Sequence, residues 1–230
     1  MASIMDSFKE VSGEKFSILK MIVFTIPVYY AYTIFVADKG FSGNFYTVAF
    51  WTAFFLFGLL IKVTNNLINE THNVMPSLNP LKLAFSSLKG IVAIGLPTYI
   101  ACSIVNYISA QIFILPWVDT TLKTLLWFIA AAIIVTSFLM FCRNESIKEA
   151  FNMKFLFEKA GDLILVLVFF VLQIILINLP TTALIGYAIY ILLGYGPVFD
   201  FFMAFALVFN IVVAGHYMGQ VHYEALGAKE

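Results

Sequence analysis

The sequence has little charge, few histidines and cysteines, and no charged side chain in the middle of any long apolar segment. Only 11% of its 230 residues are charged, whereas soluble domains average about 25%. The apolar fraction is 62% and the mean hydropathy is +0.96. The core of a soluble chain this size cannot absorb that much apolar surface. We therefore expect most of the chain to lie in lipid.

These shortages also exclude several kinds of site. Cys102 and Cys142 lie within or at the end of apolar runs, so they offer no disulfide framework and no paired-cysteine metal site. The formal net charge of zero gives no indication of a nucleic-acid partner. Ion-coupled carriers and intramembrane enzymes usually keep a buried charge where the work is done, and none is apparent here. We expect no cofactor, no metal and no enzymatic activity.

Six apolar segments have the roughly 20 residues needed to cross a bilayer. The sequence therefore predicts an all-α polytopic membrane bundle, with residues 1–230 forming one domain. A further apolar segment, 182–193, is too short to cross alone, and we expect a re-entrant or interfacial helix there. The predicted spans are 16–36, 45–63, 90–115, 122–141, 162–179 and 198–218.

The basic residues give the bundle a direction. With six spans, eleven of the 13 Lys and Arg residues fall on one side of the membrane, and Lys39 and Lys123 fall on the other. Cytoplasmic loops carry the excess of basic residues in membrane proteins. The pattern therefore predicts that both termini are cytoplasmic.

Three segments with one apolar helical face precede the predicted hairpins, at 3–12, 80–89 and 146–159. Such segments lie flat at the head groups, so we expect cytoplasmic amphipathic helices. Pro27 and Pro97 stand at similar positions in the first two units, but the third unit lacks the proline. Two interpretations stay open: a threefold hairpin repeat, or independent use of Lys at an interface and Pro in a span.

Uncharged polar residues within the spans have two interpretations. They line a polar pocket that opens outward, or they form hydrogen bonds between helices that contribute about 0.6 kcal/mol each. The second interpretation is favoured because such contacts are common in helical membrane proteins. The residues concerned are Asn106, Gln111, Gln173, Asn178 and Asn210.

The last predicted span ends in the polar stretch GHYMGQVHYEAL, residues 215–226. Its two histidines, His216 and His222, are separated by about 120° around a helix, so they do not chelate one metal as an i, i+4 pair would. Gly215 and Gly219 predict close approach of a second helix. The stretch therefore indicates helix packing rather than a metal or catalytic site. A polar stripe on the inner part of this helix is formed by His216, Gln220 and Tyr223.

Three stretches carry a resemblance to a known group of proteins: GLPTYI (95–100), KEAFNMKFLFEKAGD (148–162) and AGHYMGQVHYEA (214–225). Over about residues 65–226 the chain resembles an uncharacterised family of prokaryotic six-span membrane proteins. That family is distantly similar to the membrane domain attached to some bacterial glycerophosphodiester phosphodiesterases. The resemblance implies a multi-pass protein of the prokaryotic cytoplasmic (inner) membrane, of unknown activity, and it supplies no catalytic residues.

Two functions follow as hypotheses. The first is a non-enzymatic scaffold, accessory subunit or lipid-organising component, whose partners are membrane lipids and other membrane proteins or further copies of itself. The alternative is a permease or channel for a neutral or amphiphilic solute, which would use Asn106, Gln173 and Asn210. A continuous polar cavity along these three residues would favour transport, and their use in helix contacts would favour the scaffold.

Overall fold

The computed structural model describes residues 3–71, 73–111, 116–173, 175–176 and 179–227. The regular elements in these ranges are helices, which confirms the predicted all-α class. In chain order they are α1 (Ile4–Gly13), α2 (Ser17–Ala37), α3 (Gly43–Ile68), α4 (Pro80–Gln111), α5 (Pro116–Asn144), α6 (Ile147–Ala150), α7 (Met153–Gln173), α8 (Leu179–Leu193) and α9 (Pro197–Leu226).

Five helices are long and apolar enough to cross a membrane: α2, α3, α4, α5 and α9. This result agrees with five of the six predicted spans. The remaining prediction, 162–179, does not correspond to one such helix. The apolar part of α7 covers only Gly161–Gln173, and a new helix, α8, begins at Leu179.

The centre of the bundle consists of α2, α3 and α9. In α2 and α3, which are antiparallel, the Thr52 Oγ1 atom lies 3.4 Å from the carbonyl oxygen of Pro27. The rings of Tyr29 and Phe201 bring α2 alongside α9, with their centroids 5.7 Å apart. The antiparallel pair α4 and α5 packs on the other side of α3, where Gly90 faces Ile61.

Both prolines predicted to lie within spans are inside helices, Pro27 in α2 and Pro97 in α4. A helical proline leaves the carbonyl four residues earlier without its N–H donor. For Pro97 that carbonyl belongs to Ala93, and the Ser137 Oγ atom of α5 lies 3.5 Å from it and 3.1 Å from the Ala150 carbonyl. The Ser137 hydroxyl thus lies beside the carbonyl that lacks a backbone donor. In a membrane such a carbonyl needs a partner within the protein, because no water is available to it.

The three predicted amphipathic segments fold in three different ways. The first is the separate helix α1, which packs on α9 through its buried face of Ile4, Ser7 and Val11. The second, 80–89, is helical but continuous with the span in α4. The third is broken at 151–152, between α6 and α7. Of the three segments, only the first thus forms one complete helix separate from a span, and the three arrangements do not repeat one another.

In the second segment, the face that packs against α3 lies opposite the regular apolar face that the sequence pattern defines. Leu83, Ser86 and Ser87 are buried, whereas Leu81, Phe85 and Leu88 are exposed. The cause is Gly58 on α3, because a Cβ atom there would lie 2.5 Å from the Leu83 carbonyl oxygen. The two backbones approach closely at the small residues, and the large apolar side chains point outward.

The chain returns from α5 to α9 by way of α7 and α8. The C-terminal end of α7 reaches α1 and α9, where the ring of Phe170 stacks on Tyr217 at 4.8 Å and Gln173 contacts Ile4. Helix α8 then runs antiparallel to α9, with Gly186 against Phe202. Pro180 stands in the first turn of α8, where its missing N–H costs little.

The two described chain ends lie together. The backbone N–H of Ser3 donates to Gln220 Oε1 at 2.8 Å, and Tyr223 contacts the end of α3. We call this end of the bundle the terminal end. The loop 38–42 and the start of α9 form the opposite end.

Candidate functional site

The glycines of the closing stretch lie against α3. A Cβ atom on Gly215 would lie 3.2 Å from Val63 Cβ, and one on Gly219 would lie 2.8 Å from Leu67 Cβ. The Thr64 hydroxyl also donates to the Gly215 carbonyl at 2.9 Å. The absence of side chains on two successive turns therefore allows the parallel helices α3 and α9 to touch along their backbones.

His216 is buried between α9 and α1, with a relative exposure of 1%. Its Nδ1 atom lies 3.2 Å from Ser7 Oγ, and its Nε2 atom lies 2.9 Å from Glu10 Oε2. The second contact is short but poorly aligned for a hydrogen bond, so it is best described as a charge contact when the ring is protonated. His216 thus connects the N-terminal helix to the last helix.

The other two members of the predicted stripe also connect helices. Gln220 accepts from the N–H of Ser3, one of the donors that the start of a helix leaves unpaired. The Tyr223 hydroxyl lies 3.1 Å from the Leu67 carbonyl and 3.0 Å from that of Ile68, at the end of α3 where carbonyls lack helical partners. The polar stripe therefore makes two different helix contacts. His216 and Gln220 contact α1 and its N-cap, and Tyr223 contacts α3.

The amides predicted to form a polar pocket lie in different surroundings. Gln173 Oε1 accepts from the Ile4 N–H at 3.1 Å, beside the contact between Ser3 and Gln220. Asn210 lines a cleft of about 310 Å³ between α8 and α9, and its Oδ1 atom has no hydrogen-bond partner among the described residues. Asn106 is exposed on α4. The side chain of Gln111 and the whole of Asn178 lie outside the described residues.

A charged pair that the sequence analysis did not single out lies between α3, α4 and α5. Lys62 forms an ion pair with Glu145, and the Ser86 hydroxyl donates to the other carboxylate oxygen at 2.8 Å. The two charged side chains are only 23% and 16% exposed. The sequence did contain a signal for this pair, because Lys62 directly follows an apolar run. The basic residues were used above only to orient the spans.

A polar cavity of about 300 Å³ lies beside this pair, under the loop from α3 to α4. The loop is fixed through Met75, whose N–H donates to Glu14 Oε2 at 2.9 Å and whose carbonyl accepts from Lys20 Nζ at 3.1 Å. The cavity combines two ammonium groups with amides and hydroxyls. Its polar lining consists of Lys62, Asn66, Thr71, Asn73, Ser77 and Lys82.

A cleft of about 720 Å³ lies at the opposite end, between α2, α3 and α9. Its lining is aliphatic and aromatic over most of its length. Two polar side chains, Tyr32 and Asp200, line it where α9 begins. We call this space the opposite-end cleft.

Within the described parts of the chain, no group of three or more His, Cys, Asp or Glu side chains is arranged to hold a metal ion. No family model, no curated protein and no solved structure matches this chain. A functional proposal therefore depends on the placement of the residues themselves.

Proposed function

We propose that this chain is a non-enzymatic multi-pass membrane protein that acts as a scaffold, accessory subunit or lipid-organising component. The observation that carries the proposal is the use of the polar side chains. Gln173, His216 and Gln220 join helices to one another at the terminal end, where each contacts the N-terminal helix. These three side chains hold the bundle together through contacts with the N-terminal segment.

The outward sides of the helices support contact with lipid or with other membrane helices. Large apolar side chains are exposed along α2, α4 and α8, among them Ile26, Leu96 and Leu192. Soluble monomers rarely expose contiguous apolar surface on this scale, and such surface marks a membrane or protein interface. Membrane lipids, other membrane proteins or further copies of the chain are the proposed partners.

Six crossings with cytoplasmic termini are part of the proposal. The placement of the described chain ends at the same end of the bundle supports an even number of crossings. Five long apolar helices account for five of them, and the route through α7 and α8 accounts for the sixth. The distribution of basic residues supports a cytoplasmic terminal end, with α1 at the inner interface. The resemblance to the six-span prokaryotic family, and with it the inner-membrane location, remains a proposal.

The permease alternative requires Asn106, Gln173 and Asn210 along one path. The described surroundings of these residues support the scaffold instead, because Gln173 is occupied by α1, Asn210 lies beside α8 and Asn106 is exposed. Solute movement through the bundle would need the contacts of α1 to open.

The experiment that tests the proposal is native mass spectrometry of the protein released from native membranes in mild detergent. We expect retained lipid, a second copy of the chain or a bound membrane protein. A lone monomer that carries no lipid or partner would contradict the proposal. In parallel, proteoliposomes with the purified chain should take up neutral solutes no faster than empty liposomes, and a clear uptake would favour the permease.

A further inference from the structure

The opposite-end cleft exists because α3 and α9 diverge along their length. The helices touch at Gly215 and Gly219, near the terminal end. Towards the other end α2 joins them, and small side chains line the space that the three helices leave, including Ala31, Ala53 and Ala204. The resulting volume of about 720 Å³ falls in the range of about 300–1,000 Å³ that is typical of small-molecule sites.

The lining changes character from one end of the cleft to the other. The deep part is formed by apolar side chains such as Leu56 and Leu207. Thr52 is the polar residue at mid-depth, and its hydroxyl faces the Pro27 carbonyl, so it offers no free donor to a guest. A molecule that fills this part of the cleft must therefore be a hydrocarbon.

The length of the cleft matches a lipid chain in one leaflet. Along α3 it extends from Phe45 to Leu56, which corresponds to about 16 Å of helix. Half of the hydrocarbon core of a bilayer is about 15 Å thick. An acyl chain that entered from the opposite-end leaflet would thus span the length of the cleft.

The polar groups stand where the head group of such a molecule would lie. Asp200 is in the first turn of α9, and Tyr32 of α2 lines the same cleft. No Lys or Arg is among the described residues that line the cleft. An anionic head group would meet the carboxylate unfavourably, whereas an ammonium group would form a charge-assisted hydrogen bond with it.

We propose that the opposite-end cleft binds one acyl chain of a membrane lipid whose head group carries an ammonium group, with Asp200 as the recognition residue. This inference rests on the proposed role as a lipid-organising membrane protein and names the lipid class. Contact with the apolar lining of the cleft supplies most of the binding free energy, and the Asp200 carboxylate selects the head group.

The test uses the full chain in detergent and native mass spectrometry with equimolar phosphatidylethanolamine and phosphatidylglycerol of identical acyl chains. We expect the wild-type protein to retain phosphatidylethanolamine preferentially. In Asp200→Asn the preference should fall about tenfold, because one charge-assisted hydrogen bond is lost. The matched control is Asp38→Asn, which removes a carboxylate at the same end that bonds to Ser42 and does not line the cleft. It should keep the preference.

A second variant tests the chain site independently of charge. Ala53→Phe fills the cleft and should reduce the retention of both lipids, while circular dichroism and thermal unfolding report whether the bundle is intact. Equal retention of the two lipids by the wild-type protein would overturn the inference and leave the broader lipid role standing. Unchanged retention in a folded Ala53→Phe protein would overturn it as well, because the bound lipid would then lie elsewhere. Loss of all lipid and of every partner in the wild type would instead contradict the proposed function.

Discussion

Gly219 of α9 lies so close to Leu67 of α3 that a methyl group on the glycine would be 2.8 Å from the Leu67 Cβ atom. The leucine Cβ cannot move without its backbone, so the two helices would have to separate. The contact continues one turn earlier, at Gly215. The helices α3 and α9 can lie this close together because both glycines carry a hydrogen atom where other residues carry a side chain.

Replacement of Gly219 by alanine should destabilise the protein by about 1–3 kcal/mol, because overpacking forces the backbones apart. The measurement is thermal or denaturant unfolding in detergent. Gly95→Ala in α4 is the matched control, since a Cβ atom there meets nothing within 4 Å. The control should be neutral or stabilising, by up to about 1 kcal/mol, because alanine is the better helix former. Equal effects of the two substitutions would contradict the close contact.

His216→Ala should loosen the attachment of α1. The substitution leaves the buried Ser7 hydroxyl without its ring partner and removes the contact with Glu10. Loss of such a buried partner costs about 1–3 kcal/mol. Hydrogen exchange of the amides in Ile4–Gly13 should become faster. Asp6→Asn is the control, because its pairing with Lys9 is exposed on the same helix, and exchange there should stay unchanged.

The pair of Lys62 and Glu145 should show strong coupling in a double-mutant cycle. Glu145→Gln leaves a mostly buried ammonium group unpaired, so we expect a loss of roughly 1–3 kcal/mol in stability. Adding Lys62→Met should recover part of that loss, since no unpaired charge then remains.

The exposed pair of Lys154 and Glu158 provides the comparison, with side-chain exposures of 87% and 59%. Its coupling energy should be below about 0.5 kcal/mol, as for other helical surface pairs. If the two cycles gave similar couplings, the buried pair would have no special role in stability.

Cysteine labelling tests the proposed orientation. With Cys102 and Cys142 replaced by serine, Asp38→Cys should react with a membrane-impermeant maleimide in intact cells. Lys148→Cys should react only after permeabilisation, because α6 follows α5 at the terminal end. The reverse pattern would invert the orientation. Labelling of both positions from outside would contradict the three crossings by α3, α4 and α5 that separate them.

The sequence predicted the helical class and five of the long apolar helices from hydropathy and spacing. It did not predict which side chains of each helix pack against a neighbouring helix. In α4 the buried side chains include Ser86 and Ser87, which no apolar pattern marks, whereas the apolar face of Leu81, Phe85 and Leu88 is exposed. In a membrane, both the packed face and the lipid-exposed face of a helix are hydrophobic, so hydrophobicity does not distinguish them. Small residues mark the packed face, because they allow two helices to approach closely.

The position of Gln173 could not be predicted for a different reason. Its partner is the N–H of Ile4, which is distant in sequence and carries no side-chain signal. The predicted span 162–179 assumed that a continuous apolar run is one straight helix. Instead, α7 ends at Gln173 and the separate helix α8 begins at Leu179, directly before Pro180.

The two glutamines that hold Ser3 and Ile4 have a consequence for the order of assembly. Gln173 and Gln220 are among the later parts of the chain to be synthesised, whereas their partners are among the first. The docking site of α1 is therefore incomplete until α9 has been inserted beside α3. The final docking of α1 on α7 and α9 then closes the bundle.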